Sequence, residues 1–248
     1  MSIAEAMGRA LQQTSISTNI KVCSALSHQF QATLMTTAGT IGLQLCAVLA
    51  HRRARRQCAL HPRSPRYAAH PFLTHRSSPP GSMSFAIKYQ LDLYGPSGLQ
   101  PGDVLLANSP VAGGSHLPDL TVITPVFSSQ PESKIIFFTA SRGHHADIGG
   151  ITGGSMPATS TALFQEGAEI VSFRLVRNGA FDTDGLRHLL VDLPARGEGC
   201  SGCRDFKSVD SDLRAQVAAN HKGSVLLGKL VEEYGLETVH EYMQHIRT

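Results

Sequence analysis

The sequence predicts an α+β fold: a mixed, largely antiparallel sheet with flanking helices and a C-terminal helical pair. Several short apolar runs lie too close together for crossover helices to join them, which points to antiparallel neighbours. The last forty residues instead carry apolar positions at helical spacing. The 248 residues are 42% hydrophobic and 17% charged, with no Trp. That is enough for one sizeable core or two small ones, and it excludes collagenous, coiled-coil and wholly disordered chains.

Residues 1–21 open as a helix, with Ser2 as cap, Glu5 three residues on, and Ile3, Met7, Ala10 and Leu11 on one face. From Val22 to Pro80 no helical or strand period is sustained. This stretch holds seven Arg, five His, no Asp and no Glu, so its basic groups have no acidic partners and it is expected to be disordered. Its Arg- and Ser-rich, acid-free composition also has the character of a transit peptide. Order returns with a helix over Ser82–Leu93 and the turn Gly95-Pro96-Ser97-Gly98. Strands follow at Asp103–Ala107, Leu120–Val126, Ile135–Ala140 and Ile170–Arg177, the last ending on the turn dipeptide Asn178-Gly179. A short helix is expected over Pro157–Phe164. Ser208 or Asp210 can cap a long helix carrying Leu213, Val217, Leu226 and Leu230, which Gly235 stops after Tyr234. A second helix then carries Leu236, Val239, Tyr242, Met243 and Ile246.

The formal charge of +3 averages two unlike parts. Residues 81–248 hold 13 Lys and Arg against 18 Asp and Glu, a balance of 13 − 18 = −5. Neither part spreads basic residues over a folded face among aromatic partners, so no nucleic-acid interface is expected. The longest apolar run, Thr36–Ala50, is broken by Gly39, Gly42 and Gln44 and is too short to span a bilayer, so no membrane span is expected. Five Cys make no disulfide framework, and Cys200-x-x-Cys203 reads as two reduced thiols in a turn. A reducing compartment, the cytoplasm, follows.

The residues best suited to chemistry lie between Asn108 and Ser155. The spacing His-x-x-Asp occurs twice, as His116/Asp119 and His144/Asp147, each at a strand edge beside a glycine-rich loop. Imidazole and carboxylate so spaced can bind one cation of the Zn, Mn or Fe(II) kind, which could polarise a carbonyl or acidify a water. They can equally cap turns. Arg142 could hold a substrate carboxylate or pair with Asp147, the two being the candidate catalytic side chains. Asn108, Gly114, Ser115 and Ser155 border the same loops as candidate substrate contacts. Gly149-Gly150 and Gly153-Gly154 could form an anion-holding nest or plain turns. His221, in the long helix, reads as packed or capping. No P-loop or dinucleotide fingerprint is present.

In order, Gly-Asp-Val-Leu-Leu-Ala-Asn-Ser-Pro (102–110), Gly-Gly-Ser-His-Leu-Pro-Asp (113–119), Ser-Arg-Gly-His-His-Ala-Asp-Ile-Gly-Gly (141–150), Gly-Ser-Met-Pro (154–157) and Asp-Leu-Arg-Ala-Gln-Val-Ala-Ala-Asn (212–220) closely resemble the hydantoinase B/oxoprolinase family. The likeness covers 81–248, with Ser2–Lys21 similar to the family's opening helix. Val22–Pro80 departs from the pattern, and only Gly81-Ser82-Met83 survives of the segment that should precede it. An acid-free insert between two good matches has the look of translated intron or shifted frame.

The resemblance implies a divalent metal site at His116, Asp119 and His144, the last chosen over His145. It implies hydrolysis of a cyclic amide, a lactam such as 5-oxo-L-proline or a hydantoin. It also implies ATP-Mg used by a separate hydantoinase A-like half that phosphorylates the carbonyl oxygen, and a homo-oligomeric full enzyme. This chain would then be an incomplete fragment of a larger subunit. A different expectation is a catalytically inactive binding or assembly module of the same family.

Overall fold

A computed structural model describes residues 44–49, 82–95, 97–128, 133–154 and 157–240. The expected N-terminal helix therefore lies outside the described residues, as do Ser155 and the end of the second C-terminal helix.

The described strands form one six-stranded sheet in which every neighbouring pair is antiparallel. In chain order they are β1 (Gln44–Leu49), β2 (Val104–Ala107), β3 (Asp119–Phe127), β4 (Ile135–His144), β5 (Phe173–Arg177) and β6 (Ala180–Phe181). Across the sheet the order is β1-β4-β3-β2-β5-β6. The helices are α1 (Ser82–Tyr94), α2 (Thr183–Arg187) and α3 (Phe206–Tyr234).

Side chains of the central strands alternate between two cores. Leu105, Ile123, Phe138 and Ala140 face α1 and pack with its Met83, Ala86 and Ile87. Leu106, Leu120, Val122 and Leu175 face the other way and pack with Val209 and Leu213 of α3, with Leu186 of α2 and with Leu190 just after it. Farther along α3, Leu227 closes over Val126 and Phe137. With helices on both faces, β2 is buried at every residue, so it reads as a continuous apolar run rather than an alternating one.

Several expectations change in detail. β1 pairs with β4 from Gln44↔Arg142 to Leu49↔Phe137, so at these six residues a strand stands where no strand period is legible. The sheet is wholly antiparallel among the described strands, not mixed. Asp205, not Ser208 or Asp210, caps α3: its side chain accepts from the Ser208 backbone N–H. Gly235 follows Tyr234 with φ +81°, and helical backbone resumes over 236–240. The helix expected at Pro157–Phe164 is replaced by a 3-10 turn at Leu163–Glu166, because the Gln165 side chain accepts from Thr161 N and Ala162 N and draws the chain into a cap. Asn178 and Gly179, with φ of +50° and +82°, form the tight β5–β6 turn their sequence foretells. No helix among the described residues is long and apolar enough to cross a membrane.

The α3–sheet contact should dominate stability. Leu213→Ala, at a fully buried position, is expected to cost about 2–5 kcal/mol. Leu93→Ala, 55% exposed on α1, should stay within about 0.5 kcal/mol. Denaturant unfolding of both variants checks the pair.

Candidate functional site

β3 begins and β4 ends at the same edge of the sheet, and their register sets Asp119 directly opposite His144. Directly opposed residues lie on one face, here the α1 side that also carries Thr121, Ile123, Ala140 and Arg142. His144 Nδ1 stands 2.7 Å from Asp119 Oδ1. The preceding turn folds His116 back onto the same carboxylate: Asp119 N–H donates to His116 O at 2.9 Å, and His116 Nδ1 lies 3.3 Å from Asp119 Oδ2. Ser115 Oγ also donates to Oδ2. One carboxylate thus serves two imidazoles and a hydroxyl.

The arrangement opens outward. The Asp119 side chain is 11% exposed, while those of His116 and His144 are 36% and 43% exposed. Burial by itself would raise the Asp119 carboxyl. The Ser115 and His144 hydrogen bonds, followed by the charge of the two imidazoles, outweigh it and hold the group below its ordinary value of 3.8. An ionised carboxylate only accepts, so His144 turns an N–H toward it at Nδ1, and in the neutral ring Nε2 is the bare nitrogen; His116 Nδ1 is an ion-pair neighbour of the same carboxylate.

Four other expected site residues build the loop instead of lining it. Asn108 is fully buried. Its amide donates to Leu117 O (2.6 Å) and Ala168 O (2.8 Å), and its oxygen accepts from Ile170 N (2.7 Å), so no group is left for a substrate. Gly114 passes so close to Asn108 that a Cβ would sit 1.9 Å from its carbonyl oxygen, which bars any side chain there. Arg142, 5% exposed, donates to Thr121 Oγ1 (2.7 Å) and Gly113 O (3.1 Å), fastening the strand of loop that carries Ser115 and His116. Asp147 does not join the pair at Asp119: it accepts from Gly149 N, Arg204 N and Arg204 Nη1. The second His-x-x-Asp repeat is therefore split. His144 goes to the site, and Asp147 goes to a neighbouring loop.

That loop also accounts for the glycines and thiols. Gly149 N–H is taken by Asp147, and Gly150 exchanges two backbone hydrogen bonds with Ser201, so these two N–H groups are not an anion nest. Cys200 and Cys203 are free. Burial first, then the nearby Asp147 charge, pushes the Cys203 thiol up to about 11, and it donates to Asp147 O; such a thiol is inert. His221 is exposed on α3.

Among the described residues, no three His, Cys, Asp or Glu side chains close around a point as metal ligands. The donor set at Asp119, two imidazoles and a carboxylate, is of the right chemical kind for a divalent cation. In this arrangement, however, the facing nitrogens point at carboxylate oxygens, and a cation there would have to displace their protons.

Sequence reading missed Gln216 and His145. His145 is buried on the opposite face of the sheet, with Nε2 3.2 Å from Gln216 Oε1. A signal existed: Gln216 and Asn220, four residues apart, fall on the stripe of α3 that also carries Leu213 and Leu227, where a helix buries apolar groups.

The lowered Asp119 carboxyl stabilises the fold above 3.8, its ordinary value, and that contribution is lost as the pH falls through its lowered value. Asp119→Asn should therefore be less stable than the native chain at pH 7. It should also lose less stability on acidification below pH ~4. Thermal midpoints across pH 2–7 test both statements.

The hydantoinase B/oxoprolinase family profile matches residues 1–248, and so runs through 22–80 as well. The chain is 42% identical over 250 residues to 5-oxoprolinase 1 of Arabidopsis thaliana, and 42% identical over 248 residues to the 5-oxoprolinase of Saccharomyces cerevisiae. Each match takes in all of this chain but only 17% of the relative. In fold it is like the ATP-dependent caprolactamase of Pseudomonas jessenii, with TM-score 0.62 and 22% identity over 94% of this chain and 37% of that one. By the full-length profile match and these identities, the chain belongs to the hydantoinase B/oxoprolinase family.

Proposed function

We propose that this chain supplies the hydrolytic site of an ATP-dependent cyclic-amide hydrolase. Its substrate would be a lactam, foremost 5-oxo-L-proline opened to L-glutamate, or a hydantoin. ATP-Mg would be used by a hydantoinase A-like half and not by this chain. The observation that carries the reading is the Asp119 carboxylate shared by His116 and His144 across the β3–β4 edge. The names of the relatives supply the substrate class.

Asp119 holds the His144 imidazole by its Nδ1–H, so a water near that ring meets, in its neutral form, a bare Nε2 that can take its proton as the oxygen attacks an activated carbonyl carbon. The imidazolium formed is stabilised by the same carboxylate. Ser115 fixes the second carboxylate oxygen, and Arg142, through Gly113, fixes the loop on which Ser115 and His116 ride. Asp147 contributes by holding the adjacent loop through Arg204. Were a divalent metal bound, His116, Asp119 and His144 would hold it, and it would polarise the carbonyl or acidify the attacking water.

Metal binding through Nδ1 of these imidazoles would move each neutral ring's proton from Nδ1 to Nε2. Calorimetric titration of Zn(II) or Mn(II) at neutral pH should show binding to the native chain. His116→Ala and His144→Ala should weaken binding at least ~10-fold. Equal binding by all three proteins removes the metal from the proposal. With the ATP-binding half supplied, 5-oxoproline-dependent ATP turnover should fall about 10²–10⁴-fold in His144→Ala. Unchanged turnover in that variant rules out a catalytic role for His144.

A further inference from the structure

α3 lays a row of amides against the sheet, on the face opposite the Asp119 site. Gln216 and Asn220 are both buried, yet they grip different places. Asn220 Nδ2 donates to Val122 O at 3.0 Å, with Thr124 Oγ1 at 3.4 Å, in the body of β3. Gln216 Nε2 donates to Leu120 O (3.4 Å) and Ser141 O (3.3 Å), one on each of the two strands that meet at the site. Leu120 follows Asp119, and Ser141 precedes the Arg142–His144 end of β4.

The chemistry of these contacts orients the third one. Both partners of Gln216 Nε2 are carbonyl oxygens, so this end of the amide is the donor and Oε1 is the acceptor. The His145 ring nitrogen 3.2 Å from Oε1 must then carry the proton. That leaves His145 Nδ1 a bare acceptor, buried and without a hydrogen-bond partner among the described residues. Among those residues Gln216 is therefore the one hydrogen-bonded anchor of the ring, which is 2% exposed. The His145 backbone N–H meanwhile donates to Pro118 O at 2.9 Å, tying the end of β4 to the turn between His116 and Asp119. One side chain of α3 thus fixes the residue after Asp119, the strand leading to His144 and the residue after it.

We infer that Gln216 is a positioning residue that holds Asp119 and His144 in contact through the sheet, an inference that rests on the hydrolytic reading of that pair. It touches neither substrate nor reacting atoms. It acts by keeping two strand ends and the His116 turn from shearing past one another. Asn220 has the same chemistry, burial and helix face, but it grips β3 away from the site and serves as the internal control.

The test compares Gln216→Leu with Asn220→Leu in the 248-residue chain. The first readout is the downfield nitrogen-bound ring proton of His144 at the Asp119 hydrogen bond, observed by NMR. The second is kcat against KM for 5-oxoproline-dependent ATP turnover with the ATP-binding half supplied. Gln216→Leu should lose the His144 proton signal and lower kcat about 10-fold or more with little change in KM. Asn220→Leu should lower the thermal midpoint comparably but keep both. Should Gln216→Leu fail to fold, the longer and more adaptable Gln216→Met takes its place with the same expectations. A native His144 signal and native kcat in the Gln216 variant would overturn the inference, as would an equal loss of both in Asn220→Leu. If the native protein shows no lactam-dependent turnover, the hydrolytic reading falls, and the NMR comparison still decides whether Gln216 positions the pair.

Discussion

One buried carboxylate organises this end of the molecule. Asp119 has two oxygens and meets three donors, Ser115 Oγ, the His116 backbone N–H and His144 Nδ1, with His116 Nδ1 beside them as an ion-pair neighbour. An anion at 11% exposure is costly to bury alone and tolerable when so fully bonded. The same contacts hold both partly exposed rings beside it. Whatever fixes the approach of β3, β4 and the 113–118 turn also fixes this cluster.

The turn is held from beneath by groups that never reach the surface. Asn108 ties Leu117 to Ala168 and Ile170. Gly113, at φ +87°, passes against the backbone of α1 where a Cβ would meet Ala86 N at 2.5 Å. Arg142 closes the loop from β4 through Gly113 O. These are the residue types a sequence reader assigns to a ligand: an amide, small glycines and an arginine in a polar loop. Here their polar groups are spent on backbone, because a loop that folds over a sheet edge buries carbonyls and N–H groups that need partners. The placement of His116, Asp119 and His144 rests on polar groups buried beneath them.

This explains what was legible in the sequence. His116, Asp119 and His144 could be picked out because residue type and spacing speak of donor chemistry, and they do converge. Asp147 could not be separated from them, since its spacing to His144 repeats that of His116 to Asp119. Only its distance from the β3 edge and its contact with Arg204 divide the two. The strands and α3 were readable because apolar runs and helical spacing are local properties. The 3-10 turn at Leu163 and the Asp205 cap were not, because a single side-chain hydrogen bond decides each. The β1 pairing is non-local and leaves no period in six residues.

The polar stripe of α3 answers a difficulty the sheet creates for itself. Strands with one wet face choose their register by alternation, since a one-residue slip turns the apolar face outward. β2, and most of β3 and β4, are buried on both faces, with Thr121, Thr139, Ser141 and Arg142 among the buried residues, so burial alone does not choose the register. Directional contacts can discriminate where burial cannot. Gln216 demands carbonyls at Leu120 and Ser141, Asn220 demands Val122, and Thr139 Oγ1 donates back to Asn220 O. Shifted by one residue, each strand would present α3 with the wrong set of acceptors and leave buried amides unpaired, at about 1–3 kcal/mol for each. Of these contacts, those of Gln216 span both strands beside the pair, and theirs is the register that sets Asp119 opposite His144. Burial on both faces thus makes buried amides necessary, and Gln216 is the one that keeps the carboxylate against His144.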